Sequence, residues 1–407
     1  MEWIDGGVNA AKGFKAAQTA AGIKYRNRDD MAMIYSKKPC VLAGTFTSNV
    51  VKAAPVLWDR KMVEEKRKAQ AVVVNAGIAN ACTGDEGLRY CQQTAEAVAD
   101  AVSVDASAVC VASTGVIGMQ LPIDRIVAGI GQMAGKLKDT REAAHLAAQA
   151  IMTTDTRPKE AAVSVSIHGT TVTLGGMTKG SGMIHPNMCT MLAFLTTDAV
   201  ISQELLQEAL SEAVRDTYNM ISVDGDTSTN DTCLLLANGE AGNEAITKDD
   251  ESFGLFVEAL YEVNRKLARM MAGDGEGATA LLEVTVEHAN TVEEAKCLAK
   301  SVVSSSLVKA MIYGHDANSG RVLCALGYAG VDFDPEAVDL TVRSAAGQTM
   351  LMQNGQYADY SEEEATKILS EEEVTVICDM HQGSASATAW GCDLTYDYVK
   401  INADYRS

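Results

Sequence analysis

Residues Lys179 to Asp198 read KGSGMIHPNMCTMLAFLTTD. A glycine-rich turn passes through a His-Pro-Asn bend into Cys189-Thr190, and an apolar run starts directly afterwards. One hydroxyl, that of Thr190, is thereby placed where a polar segment enters the core. A threonine there can attack the peptide carbonyl before it and form an ester by an N-to-O acyl shift. Water then releases two chains and leaves Thr190 as a new N-terminus. A free α-amine has a pKa of ~7.7–8.0, so near neutral pH an unprotonated fraction can take the hydroxyl proton without a histidine partner. The bland alternative makes Thr190 an N-cap for the run MLAFL. Cys189 is a second possible nucleophile, with His185 its only local base.

Other residues could serve such a nucleophile. An attacked acyl carbon needs donors for its developing oxyanion. In Ala112-Ser113-Thr114-Gly115, Gly115 lets the backbone approach closely, and Thr114 supplies a hydroxyl and an N–H. The same four residues also fit an ordinary strand-to-loop turn. Lys179 is a cation beside a glycine loop, suited to a carboxylate or to aiding the nucleophile, and equally to solvent. Glu276, between glycines in GDGEGAT, is either an amine clamp or a solvent-facing loop acid. GDGEG and GSG have neither P-loop nor GxGxxG spacing. SVDGDTSTND has calcium-loop aspartate spacing but lacks the distal glutamate of an EF-hand, so it reads as a structural polar turn.

These segments resemble the ornithine acetyltransferase family, also called bifunctional glutamate N-acetyltransferases. The family pattern KGSGMI-x-PNMATML…TDA is met except at Cys189, where alanine is usual. The resemblance extends through GFKAAQTAAGIK (Gly13 to Lys24), NAGIANACTG (Asn75 to Gly84), ASTGVIG (Ala112 to Gly118) and MTTDTRPK (Met152 to Lys159). It continues through SVDGDTSTND, GDGEGATA, DANSGR (Asp316 to Arg321) and the final INADYRS, and so covers essentially the whole chain.

The resemblance implies a self-cleaving acyltransferase, cut between Cys189 and Thr190. Acetyl would pass from N2-acetylornithine to Thr190, releasing ornithine, and then to L-glutamate, giving N-acetylglutamate by a ping-pong route. Acetyl-CoA is a further donor in some members. Thr114 and Gly115 take the oxyanion hole. Thr153, Lys179, Thr190, Glu276, Asn402 and the terminal Ser407 take substrate binding; the last residue is threonine in many members, and serine keeps the hydroxyl. The implied fold is a four-layer α/β/β/α sandwich over 1–280 plus a smaller α/β domain over 281–407, whose tail closes the site. Two cleaved units are expected to form a heterotetramer of two alpha and two beta chains. No metal or organic cofactor is implied. The rival readings are an amidase or aminopeptidase of N-terminal-nucleophile type, in which water resolves the acyl-threonine, and an uncleaved amino-acid-binding protein.

Composition sets the class. At 407 residues and 43.1 kDa, with 47% apolar residues and 5% aromatics, the chain can bury a large core. Its net charge of −20 argues against nucleic-acid or anionic-membrane partners, because phosphate contacts need a basic footprint. The ten cysteines form no CxxC pair and several lie in apolar runs, as buried free thiols do in a reducing cytoplasm. The six histidines are scattered without metal-ligand spacing. The N-terminus has no secretory signal pattern, and no apolar run reaches the ~20 residues of a membrane span. A soluble cytoplasmic protein is expected.

The elements that must position these residues are legible as an α/β pattern. Ala71 to Asn75 and Val109 to Ser113 are compact β-rich runs ending in glycine loops. Arg141 to Ile151 is an alanine-rich helix. Val163, Val165 and Ile167, then Val172 and Leu174, alternate as a hairpin leading into the Lys179 loop. Ser202 caps a helix whose stripe is Leu205, Leu206, Ala209, Leu210, Ala213 and Val214. Ser252 to Ala272 is a helix, Leu281 to Ala289 a strand, and Thr291 with Glu294 a capping box. Asn354-Gly355 marks a hairpin turn and Val374 to Asp379 a strand.

Overall fold

The computed structural model describes residues 1–185 and 191–404. It is a mixed α/β structure with two sheets, in two compact units that interleave along the chain. The first unit comprises Met1–Gly180, Pro186–Asn219 and Thr227–Leu267; the second comprises Ser181–His185, Met220–Asp226 and Ala268–Ser407.

The first unit holds a nine-stranded sheet among the described residues. Its strands are β1 (Glu2–Trp3), β2 (Phe14–Thr19), β3 (Met31–Phe46), β4 (Ala69–Ile78), β5 (Val109–Val116), β6 (Lys159–Ile167), β7 (Thr170–Lys179), β8 (Leu192–Thr197) and β10 (Thr232–Ala237). The order is β1-β6-β7-β8-β10-β3-β4-β5, with β2 also on β3. Pairs β4/β5 and β8/β10 are parallel. Helices α1 (Ala54–Glu64), α2 (Gly84–Val102), α3 (Ile123–Ala134), α4 (Arg141–Ala150) and α5 (Gln203–Asp216) belong to this unit. Helix α6 (Ser252–Ala272) begins in it and ends in the second.

Strand alternation divides the core. Ala32, Ile34, Val72, Val74, Cys110 and Ala112 join a cluster that also holds Phe194, Leu234 and the alanines of α4. Their neighbours Met31, Met33, Ala71, Val73, Val109 and Val111 join a second cluster with Cys91, Ala95 and Val98 of α2 and Ile126 and Ile130 of α3. Strands β3 to β5 are therefore buried on both faces, which explains why AVVVN is continuously apolar. The long β3 pairs with β2 and β4 through Met31–Tyr35 and with β10 through Val41–Phe46. Between these spans the ladder shifts register at the exposed Lys37, Lys38 and Pro39, where proline cannot donate.

The second unit holds a seven-stranded sheet in the order β14-β13-β12-β15-β11-β16-β9. These are β9 (Ile221–Ser222), β11 (Leu281–Ala289), β12 (Asp339–Ser344), β13 (Gly347–Gln353), β14 (Gln356–Tyr357), β15 (Glu373–Asp379) and β16 (Ala385–Cys392). Helices α7 (Val292–Ser304), α8 (Ser306–Tyr313), α9 (Ser319–Gly327), α10 (Glu362–Leu369) and α11 (Tyr396–Ala403) complete it.

Two expectations change. The apolar run after Thr190 is strand β8, so a helix N-cap role for that threonine fails for want of a helix. The cysteines are not uniformly buried: Cys82, Cys297 and Cys324 are exposed, whereas Cys40, Cys91, Cys110, Cys233, Cys378 and Cys392 are buried. Among the described residues no helix is long and apolar enough to cross a membrane.

Candidate active site

In the first unit the site is built on the ends of β5 and β7. Gly77 and Gly115 face each other across an irregular stretch of the parallel β4/β5 ladder. Gly115 has φ +129°, and a Cβ there would lie 2.2 Å from the Gly77 carbonyl carbon. Only glycine fits both the left-handed backbone and the close approach. Thr114 is half-buried beside it. The stretch is braced from two sides. Ser113 Oγ donates to Asn75 Oδ1 at 2.6 Å. Asn230 Nδ2 donates to the Ala79 and Ser113 carbonyls at 2.5 and 2.8 Å. The motifs around Asn75, Ser113 and Asn230 thus form one scaffold.

Lys179 closes β7 with its side chain only 10% exposed. Its Nζ donates to Thr114 Oγ1 at 3.4 Å and stands 4.0 Å from Asp155 Oδ2. Asp155 is fully buried and accepts from Lys159 Nζ at 2.7 Å, from Gly180 N at 2.7 Å and from Thr153 N at 3.1 Å. Burial opposes its ionisation. The charges of Lys179 and Lys159, with the hydrogen bonds from Lys159 and Gly180, outweigh burial and hold its carboxyl below the usual carboxylate range. An anion is thereby fixed at the point where Thr114, Thr153, Lys179 and Gly180 meet. Sequence reading singled out Thr153 in MTTDTRPK and passed over Asp155 and Lys159, although the same motif carries all three. Arg28, within the first unit, also donates to the Met152 carbonyl.

In the second unit Ser181–His185 is pinned along its length. Glu276 N donates to the Ser181 carbonyl at 2.8 Å. The Asp224 carboxylate accepts from Met183 N at 2.6 Å and Ile184 N at 2.8 Å. Val223 N donates to the Ile184 carbonyl at 2.6 Å. His185 Nδ1 lies 3.0 Å from Ser222 Oγ. Burial, helped by the nearby charge of Lys300 and opposed by Asp226, lowers the His185 pKa to about 4, so its imidazole is neutral near pH 7. Burial alone brings Lys300, which donates to the Ile221 carbonyl at 2.8 Å, down to about 7.

Glu276 is not a solvent-facing loop acid. It is 6% exposed, and Asn402 Nδ2 of α11 donates to its Oε2 at 2.7 Å. Its carboxylate fills the space beside Gly182, where a Cβ would fall 2.3 Å from Oε2. Tyr398, one turn before Asn402, donates to Asp224 Oδ2 at 3.3 Å. Asp224 and Tyr398 are site-building residues that sequence reading missed; Asp224 lay in the motif taken as a structural turn.

The structure thus brings together Thr114, Gly115, Thr153 and Lys179 in one unit, and Glu276 and Asn402 in the other. Cys189, Thr190 and Ser407 lie outside the described residues.

Comparison with known proteins sets these motifs in a family. Residues 15–407 match the model of the ArgJ family. The arginine biosynthesis bifunctional protein ArgJ of Symbiobacterium thermophilum is 51% identical over 409 residues, covering 100% of both chains. That of Caldanaerobacter subterraneus subsp. tengcongensis is 48% identical over 407 residues, again with 100% of both covered. Among solved structures, ArgJ from Bacillus halodurans is 44% identical, covering 52% of this chain and 97% of its own, with a TM-score of 0.49. The chain belongs to the ArgJ family and is an acyltransferase enzyme of arginine biosynthesis.

Proposed function

We propose that this chain is cut between Cys189 and Thr190 and moves acetyl from N2-acetylornithine to L-glutamate on the Thr190 hydroxyl. The observation that carries the reading is the Thr114–Lys179–Asp155 constellation in a chain of the ArgJ family. A buried lysine is held against a threonine hydroxyl by a carboxylate that stays ionised.

In the cleavage step Thr190 Oγ attacks the Cys189 carbonyl, the peptide C–N bond breaks, and water hydrolyses the resulting ester. In the first half-reaction the same oxygen attacks the acetyl carbonyl. Thr114 and Gly115 supply oxyanion donors, the amide C–N bond breaks, and ornithine leaves with the proton relayed by the Thr190 amine. In the second, the glutamate amine attacks the acetyl ester and the Thr190 hydroxyl is restored. Glu276, buried with Asn402 as amide partner, suits a substrate ammonium, and Lys179 suits a carboxylate. Thr153 and Ser407 complete substrate binding. Acetyl-CoA as a second donor, the four-layer sandwich, the division at 280/281, the heterotetramer and a cytoplasmic site belong to the same reading.

Denaturing intact-mass spectrometry, before and after mixing with N2-acetylornithine, tests it. Two chains split before Thr190, with one acetyl on the second, are expected; Thr190→Ala gives one chain without adduct. An uncleaved wild-type chain, or substantial turnover by Thr190→Ala, would sink the mechanism. Acetate released at the same rate with and without glutamate would replace transfer by hydrolysis.

A further inference from the structure

We infer that the second unit carries a binding site for a first-row divalent cation of the zinc type, built by Glu287, His288 and Asp379 and flanked by His381 and Asp339. Strands β11 and β15 run parallel and end at the same edge of the sheet, where β12 begins. The register places Glu287 opposite Asp379, and Asp379 opposite Asp339. Three carboxylates therefore stand in a row across three adjacent strands, spaced by about 4.8 Å per strand. Like charges directly opposite each other weaken a sheet. Among the described residues no lysine or arginine forms an ion pair with any of the three; Asp339 and Asp379 pair only with histidine.

One of the two histidines here, His288, is placed as a ligand. One donor atom each from Glu287, His288 and Asp379 lies within 4.8 Å of the others. Zinc bonds of about 2.0–2.2 Å bring tetrahedral ligand atoms roughly 3.3 Å apart, a closure that the exposed His288 and the half-buried Glu287 and Asp379 make by side-chain rotation. His288 Nδ1 is 2.9 Å from Asp379 Oδ1. The His381 ring stacks parallel to that of His288, with centroids 6.3 Å apart and planes within 9°. His381 Nε2 is 2.9 Å from Asp339 Oδ2, while its Nδ1 faces Asp379 Oδ1 at 3.5 Å. His381 thus bridges Asp339 and Asp379 and orients the Asp379 carboxylate from outside the ligand group, as a hydrogen-bonding partner of a ligating carboxylate does. An imidazole with two carboxylates and no thiolate favours zinc or its neighbours over magnesium and calcium, which take oxygen ligands. Sequence spacing could not show this, because His288 and His381 come from different strand ends.

The test is a calorimetric titration of chelator-treated, tag-free, full-length protein with Zn²⁺, repeated with Co²⁺ as an absorption probe. One saturable Zn²⁺ per chain is expected, raising Tm, with a Co²⁺ spectrum free of thiolate charge transfer. His288 and His381 have left-handed backbone, with φ +54° and +50°, which asparagine tolerates. His288→Asn and His381→Asn therefore keep the fold and should each weaken binding about tenfold or more. Asp379→Asn should abolish both binding and the Tm rise. Absence of saturable binding, or wild-type affinity in all three variants, would overturn the site. So would a thiolate band, which would place the ion on Cys82, Cys297 or Cys324.

Discussion

Asp155 and Lys159 are both fully buried, 2.7 Å apart, and share their surroundings with Lys179. Removing one partner of such a pair leaves an uncompensated charge, at a cost of about 3–5 kcal/mol. Asp155→Asn should lower stability by that order and release Lys179 from Thr114. Thermal unfolding beside the double variant Asp155→Asn/Lys159→Met checks it: the double variant should recover much of the loss, and a single variant as stable as wild type would refute the pairing. Gly182 allows a gentler intervention. The three atoms nearest an added Cβ all belong to the Glu276 carboxylate, at the end of its side chain, so Gly182→Ala should displace that carboxylate from Asn402 with little change elsewhere in the fold. An increase in KM of about tenfold, or ~1.4 kcal/mol of binding, is expected with Tm unchanged; an unaltered KM would remove Glu276 from substrate contact. Thr114, Lys179 and Glu276, the residues proposed to act on other molecules, stood out in the sequence because each lies in a glycine-containing motif. Asp155 and Asp224 did not, because their task is to hold neighbours, and an acid in a loop announces nothing until its partners are placed.

Elements differ in how openly they declare themselves. Caps did so plainly: Thr291 accepts from Glu294 N and Ser202 from Leu205 N, local geometry that a few residues dictate. The Asn354-Gly355 turn likewise shows two positive φ angles, +48° and +69°, as a tight hairpin demands. Strand β3 was hidden, because Lys37-Lys38-Pro39 breaks its apolar pattern, and only pairing with β10 on one side and β2 and β4 on the other makes it one element. The run after Thr190 was open to a cap reading because six apolar or hydroxyl residues have no period that separates strand from helix. The β4/β5 irregularity yields a paired prediction. Gly115→Ala drives a Cβ into Gly77 backbone at a φ that L-residues avoid, so it should cost about 3 kcal/mol or more and lower Tm. Thr114→Ala, one residue away, should keep Tm and lower the rate about 10²-fold as a lost oxyanion donor. If Gly115→Ala melts like wild type, the close approach is not structural; if Thr114→Ala keeps full activity, the oxyanion role falls.

Across the whole molecule, 54 acidic residues face 34 basic ones, a net charge of −20. Composition made this legible at once, but its energetic sign depends on where the charges sit. Many acids are already engaged with cations: Arg141 with Asp5 and Glu160, Lys66 with Glu204, Arg265 with Glu262. Salt weakens such exposed pairs, yet each is worth only about 0–1 kcal/mol. The uncompensated excess repels itself in the compact state, a long-range effect that reaches across the surface when the Debye length is ~30 Å at 0.01 M salt and is cut to ~8 Å at 0.15 M. The two responses therefore oppose each other, and the imbalance of charge decides the outcome. Raising sodium chloride from ~0.01 to ~0.15 M at pH 7.5 should raise Tm by about 2 °C or more, the order expected for ~1 kcal/mol in a large chain. A Tm that falls with salt would mean that the surface ion pairs, and not the net charge, dominate the long-range electrostatics of this fold.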